Sequence, residues 1–204
     1  MAPSQTRVHT PRIETITSRD NRWLARFRAA LRRGPLDDGS VGLEGFHLVE
    51  EALRSQLPIE AILVSLSAAH YFDRLASQLD SSTRLLRTSD RLFSAVAATD
   101  TPQGIAALAR PRPVSFDDLV RGLPLVLVLV GLQDPGNVGS ILRSAEAFGA
   151  TGVITSSAGS LGTAHPYSPK ALRASAGSAL RLPLLPGLSI SIALTQLHIV
   201  NLHL

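Results

Sequence analysis

The sequence predicts a two-module α/β protein, and three observations carry that prediction. Segments of helical and strand period alternate from residue 13 to residue 110. The stretch ARPRPVSFDDLVRGLP, rich in proline and charge, then reads as a connection, with the linker proper at residues 111–122. Beyond it, LPLVLVLVG is a continuous apolar run, the pattern of a parallel strand covered on both faces. The expected division is a polar tail over 1–12, a first module over 13–110, the linker, and a second module over 123–204.

Each element has its own reason. NRWLARFRAALRR spaces Trp23, Leu24, Phe27 and Leu31 along one helical face, arginines fill the remainder, and Gly34-Pro35 closes it. VGLEGFHLVEEALRSQ reads as a second helix with Phe46, Val49 and Leu53 together. EAILVS is a short buried strand, HYFDRLASQL a helix and TRLLRT a strand; Ser89 then N-caps DRLFSAVAAT, and TPQGIAALARPRP is a strand that leaves the module through prolines. In the second module the first strand feeds a loop, the helix SILRSAEAFG, a strand GVITS, a loop rich in Gly and Ser, and the segment SPKALRASAGSALRLPLLPG. A helix SIALTQL and a last strand HIVNLHL complete the pattern.

Composition narrows the function classes. The formal charge is only +4, yet of the 20 basic residues all but Lys170 are arginine. Arginine's planar fork suits phosphate, and the same bias also arises from codon habit. Residues 1–33 hold Arg7, Arg12, Arg19, Arg22, Arg26, Arg28, Arg32 and Arg33 against Glu14 and Asp20, a basic arm and helix of the kind that meets a nucleic-acid backbone. With no cysteine there is no disulfide framework, thiolate nucleophile or Cys-bound zinc, and no metal site is expected. The N-terminus lacks an apolar signal core and the longest apolar run, Leu123 to Val130, is far short of the roughly 20 residues of a membrane helix, so a cytoplasmic protein without a membrane partner is expected.

The chemistry concentrates in QDPGNVGSILRSAEAFGA. In the expected helix over 140–149, Ile141, Leu142, Ala145 and Phe148 face the sheet, and Arg143 points away, beyond the carboxyl end of the first strand where open α/β sheets bind ligands. Asn137 in the preceding loop offers a donor and an acceptor; Gly136 and Gly139 permit unusual backbone angles or a close approach. A purely local reading is open beside this one, with Asn137 capping the turn and Arg143 paired to Glu146. Neither G-x-G-x-x-G nor a Walker lysine is present.

These residues resemble the SpoU or TrmH class of RNA ribose 2′-O-methyltransferases, in the knotted methyltransferase superfamily. NVGSILRSAEAFGA is similar to the family motif N-x-G-x-x-x-R-x-A-x-x-x-G at Asn137, Gly139, Arg143, Ala145 and Gly149. SPKALRASAGSALRLPLL resembles a later segment of that fold, with Lys170, Arg173, Ser175 and Gly177. ITSRDNRWLARFRAALRR, LEGFHLVEEAL and TPQGIAALARP resemble the L30e-like substrate-binding domain that precedes it in larger members. The resemblance implies an L30e-like α/β module followed by a Rossmann-like parallel-sheet methyltransferase domain. It implies methyl transfer from S-adenosylmethionine to a ribose 2′-hydroxyl of RNA, ribosomal rather than transfer RNA, with Arg143 and Asn137 as catalytic-site residues. Arg143 would orient the hydroxyl or stabilise its developing charge, since a guanidinium is not readily deprotonated.

Arg19, Arg22, Arg26, Lys170 and Arg173 are the expected RNA contacts. The family is homodimeric, and its later motifs, a G-x-E-x-x-G-type loop and an S-L-N-V-S-type segment, are not found up to Leu204. The expectation is therefore a truncated knotted-methyltransferase domain with cofactor-binding residues unassigned and an exposed strand at its open side. A non-catalytic RNA-binding protein, or an inactive fragment, is the alternative to an active enzyme.

Overall fold

The computed structural model describes residues 13–157 and 161–199. The first module comprises β1 (Ile13–Ile16), α1 (Arg22–Arg33), β2 (Val41–Glu44), α2 (Phe46–Arg54), β3 (Ile59–Ser65), α3 (His70–Leu75), β4 (Arg84–Thr88), α4 (Asp90–Val96) and β5 (Ile105–Ala109). Asn21 starts α1 by accepting a hydrogen bond from the Trp23 amide at 2.8 Å, and Gly34 ends it with φ 111°. Trp23, Leu24, Phe27, Ala30 and Leu31 form the buried stripe of α1. It lies so close to β2 that a Cβ on Gly42 would stand 2.8 Å from the Ala30 carbonyl carbon. Ser89 caps α4 as its position foretold, accepting from the Leu92 amide.

The five strands run in the order β1-β4-β3-β5-β2, with β1, β4 and β3 parallel and β5 antiparallel to both its neighbours. Two readings of this region need correction. VGLE is strand β2 rather than the start of a helix, which begins only at Phe46. Periodicity missed the change because Val41 to Glu44 are buried on both sides and show no alternation. Strand β1 was not foreseen: its first three residues are exposed, and it exists by pairing with distant β4.

The connection is not structureless. Ser115 and Asp118 form a capping box at the start of α5 (Phe116–Leu119), and Leu119 is buried against Ile154 and Ala193 of the second module. That module contains β6 (Val126–Val130), α6 (Pro135–Ala147), β7 (Gly152–Ser156), α7 (Pro169–Ser175), α8 (Ser178–Arg181), β8 (Leu184–Leu185) and α9 (Ile190–Ile199). Its three strands are parallel in the order β6-β7-β8. His198 and Ile199 end helix α9 instead of opening a strand; the rest of HIVNLHL lies outside the described residues. Strand β6 is less covered than its apolar run suggested: Leu129 is buried, but Val130 is 39% exposed. No described helix is long and apolar enough to cross a membrane.

Helix α6 differs most from expectation. It begins at Pro135, not Ser140, because Asp134 accepts from the Asn137 amide as N-cap and Pro135 occupies the first helical position. Asn137 and Gly139 are thus helical residues, and Arg143 sits in the third turn. Its buried stripe is Val138, Leu142 and Ala145, while Phe148, expected to pack, is 83% exposed beyond the helix end. Gly139 has no left-handed backbone; its value is close approach. A Cβ there would stand 2.7 Å from the Ala174 Cβ and 3.0 Å from the Ser175 amide nitrogen, with the Ala171 carbonyl oxygen closer still, so α6 crosses α7 at backbone contact.

In an isolated helix Gly139→Ala would add about 1 kcal/mol of stability. Here the obstacles are mostly backbone atoms that have no rotamer to yield, and overpacking costs about 1–3 kcal/mol or more. We expect Gly139→Ala to be net destabilising, lowering the thermal midpoint by several degrees; an unchanged or raised midpoint in calorimetry would show that the helices separate freely.

Candidate active site

The site is assembled where β6 and β7 end. Both strands point their carboxyl ends the same way, and Thr163 binds them together there, donating to the Leu129 carbonyl at 3.2 Å and to that of Ser156. The chain leaves β6 through Gly131, at φ 68°, and enters α6 at Asp134. The Asp134 carboxylate accepts from the Asn137 amide at 2.9 Å and from Lys170 Nζ at 2.6 Å. The lysine hydrogen bond is the main cause, and the Asn137 amide the next, of its carboxyl lying below the ordinary range. Lys170 therefore closes the mouth of α6 rather than standing alone.

Asn137 and Arg143 are both exposed, and neither side chain has a hydrogen-bond partner among the described residues. They are six positions apart on the helix, about 9 Å along the axis and roughly 120° around it. The helix thus presents both to solvent without bringing them onto one face. The local pairing of Arg143 with Glu146 is not formed: Glu146 is held bidentately by Arg181, at 2.5 and 2.7 Å. Ser156, at the end of β7, has a buried hydroxyl with no partner among the described residues, a polar atom that sequence pattern had no means of singling out.

The basic residues divide by what they touch. Arg173 and Lys170 line a groove of about 730 Å³ between the modules, together with Arg32, Arg33, Thr99 and Ser168; Asp100 is its one acidic lining residue. Arg32 and Arg33 had been read as part of a basic arm but not as site residues. Their position in the last turn of α1, which points across to α7, was the available signal. Arg32 donates to the Ala97 and Ala95 carbonyls and so is fixed in place. The adjoining rim is held by the buried Glu44 carboxylate, which accepts from the amides of Ala98 and Thr99 and from the Thr99 hydroxyl.

Arg19 is exposed in the turn before α1, and Arg22 is exposed with its guanidinium 5.7 Å from the Trp23 ring. Arg26, expected as an RNA contact, is instead neutralised by Asp38 at 2.6 Å and Glu60 at 2.5 Å. No group of metal-binding side chains occurs among the described residues.

Fold and site together define a class: an α/β protein whose second, parallel-sheet module carries an exposed Asn–Arg helix at the strand ends, with a basic groove between it and the first module. Residues 124–204 match the SpoU rRNA Methylase family model, and residues 31–107 the MRM3-like substrate binding domain. A solved RNA 2′-O ribose methyltransferase is 30% identical, with TM-score 0.70 over 92% of this chain and 70% of its own. The chain belongs to the SpoU rRNA methylase family.

The SpoU methyltransferase AviRb from Streptomyces viridochromogenes, solved with AdoMet, has TM-score 0.76 over 89% of this chain and 68% of that one; at 23% identity it shows the fold. The 23S rRNA (guanosine(2553)-2'-O)-methyltransferase RlmP of Bacillus subtilis is 36% identical over 141 residues, 69% of this chain and 52% of the relative. Mitochondrial rRNA methyltransferase 3 of Homo sapiens is 30% identical over 74% of this chain and 36% of its own length. The chain spans about half the length of RlmP and 62% of an uncharacterized Synechocystis tRNA/rRNA methyltransferase.

Arg181 also joins the two modules, pairing with Glu51 of α2 as well as Glu146 of α6. The Arg181 hydrogen bond holds the Glu146 carboxyl below its ordinary range, against the opposing effect of burial. A carboxyl depressed in the folded state adds stability above its unfolded pKa and loses it as pH falls through the folded one. Because the groups are partly exposed, the cluster is worth only about 1 kcal/mol. Arg181→Ala should lower the thermal midpoint by about 2–4 °C at neutral pH, with the gap to wild type closing as the medium is acidified below the Glu146 range; a gap independent of pH would refute the assignment.

Proposed function

We propose that this chain carries the substrate-binding and catalytic machinery of an S-adenosylmethionine-dependent methyltransferase acting on a ribose 2′-hydroxyl of ribosomal RNA. The observation that carries the reading is that α6 starts at the strand ends beside the Lys170–Arg173 groove and leaves Asn137 in its first turn and Arg143 in its third exposed and without side-chain partners among the described residues. The relatives named as ribosomal RNA methyltransferases support the substrate class. The proposed division is a tail over 1–12, an RNA-binding domain over 13–110, a linker over 111–122 and the methyltransferase domain over 123–204.

S-adenosylmethionine, when bound, would supply an electrophilic methyl group to the ribose oxygen. The residues present fit it in one respect: the Ser156 hydroxyl at the carboxyl end of β7, without a partner among the described residues, is a buried polar atom of the kind a polar ligand satisfies. In our reading Arg143 donates to the ribose oxygen, orients it and stabilises the negative charge that develops as its proton is lost. A guanidinium does not accept that proton, so it passes to water or to a phosphate of the RNA. Asn137 orders the nucleotide beside it. Arg33 and Arg173 take phosphates along the groove, Lys170 lines it but must share its charge with Asp134, and Arg19 and Arg22 extend the basic surface over the first module; Arg26 serves the fold. In our reading the chain acts in the cytoplasm, in keeping with the bacterial relative RlmP, and a second copy as partner would find the exposed Phe148 at the end of α6.

Two measurements test this. Arg143→Ala should reduce methyl transfer to ribosomal RNA by a hundredfold or more while RNA affinity stays within about threefold; equal loss of affinity would make Arg143 a binding residue. Arg173→Ala should weaken RNA binding across sequences and flatten the slope of log affinity against log salt by roughly 1. An unchanged slope would remove the groove from the RNA path.

A further inference from the structure

The carboxyl ends of β2 and β3 open on one edge of the first sheet, since both strands run antiparallel to β5. Helices α2 and α3 start from that edge, and their first turns bring together a group that neither the expected RNA contacts nor the groove includes. The rings of Phe46 and Tyr71 stack at 4.8 Å with 21° between their planes, and the His70 ring lies 4.3 Å from Tyr71. The Arg74 guanidinium carbon is 4.1 Å from the centre of Phe46 and 5.9 Å from that of Tyr71.

The arrangement is built rather than incidental. The Gln103 side chain accepts from the Phe46 amide at 2.8 Å and pins the start of α2. On α3, Phe72 and Leu75 take the core, while residues 70, 71 and 74 share an arc of roughly 100° and Asp73 falls outside it. Phe46 and Tyr71 rest against the core on one side; His70 and Arg74 are exposed, and Arg74 has no ion pair among the described residues. The cluster around Trp23 makes the contrast. There the indole is buried, the guanidinium of Arg26 is already held by two carboxylates, and the exposed Arg22 and Arg84 offer charge beside the ring but no second aromatic ring to stack on.

We infer that Phe46, His70, Tyr71 and Arg74 form a stacking platform for an unpaired nucleobase of the RNA. This rests on the RNA reading given above. An aromatic stack capped by a planar cation accepts the π-face of any base, and the free guanidinium donors reach the adjoining phosphate. Only an unpaired base can offer its face, because bases in a duplex are stacked on one another. The first module thus grips a single-stranded loop or bulge while the groove follows the backbone.

The test uses the full chain and two probes, a short single-stranded oligoadenylate containing 2-aminopurine and an RNA duplex of equal length. Wild type should quench the 2-aminopurine. His70→Ala and Arg74→Ala alter exposed side chains only, and Arg74→Lys keeps the charge but not the plane. Each should weaken single-strand binding roughly 5- to 100-fold and reduce the quench, with duplex affinity within about twofold. Unchanged single-strand affinity in these variants, alongside the Arg173→Ala loss, would overturn the platform and leave the RNA reading standing. Equal losses on duplex and single strand would make Arg74 a mere charge and also overturn it. Failure of wild type to bind either probe would overturn both.

Discussion

The contact between α6 and α7 at Gly139 is the constraint from which the rest of the second module follows. Two helices that meet at backbone distance have one crossing geometry available to them, since no side chain lies between to adapt. With that face of α6 committed and Val138, Leu142 and Ala145 directed into the core, Arg143 has only solvent to face. The same contact places the start of α7 beside Asp134, so Lys170 reaches the N-cap of α6, and Arg173 one turn later lines the groove. Because α7 also touches β2 and α1, the contact reaches the first module.

How far the sequence told this in advance depends on the kind of signal each residue carries. The α1 stripe, the Ser89 cap and the apolar strand β6 were legible because each rests on local spacing or local chemistry. Strand β1 was not, since its pairing is to β4 and its own residues are mostly exposed. The start of α6 was misplaced because Asp134, Pro135 and Gly136 read as a loop, although an N-cap followed by proline is itself a helix start. Asn137 and Arg143 were singled out through motif likeness; spacing alone favoured the bland pairing of Arg143 with Glu146. Arg181 takes Glu146 from another helix, and no reading of one segment reveals that.

The arginine excess also resolves into distinct uses. A guanidinium offers five donors in a plane, so it can fasten carbonyl oxygens at helix ends as readily as carboxylates or phosphates. Arg112 fastens the Ser55 and Gln56 carbonyls, Arg32 those of Ala95 and Ala97, and Arg181 two carboxylates from different helices. Arg143 and Arg173 enter no such ion pair among the described residues. The modest net charge of +4 therefore understates the contrast between a surface that is internally balanced and a few places that are not.

The pairing of β1 with β4 bears on how the chain acquires its shape. Ile16 lies opposite Thr88, and the Thr88 hydroxyl donates to the Ile16 carbonyl across 72 positions of sequence. During synthesis the first strand leaves the ribosome long before its partner exists, and the segment must wait with its backbone groups solvated. Non-local strand pairings of this kind slow folding, because loop-closure entropy is lost before the contact forms. Strand β1 therefore joins the sheet only once β4 exists to receive it. Until then helix α1, which follows β1 directly, carries its exposed arginines on a chain not yet anchored at that edge of the sheet.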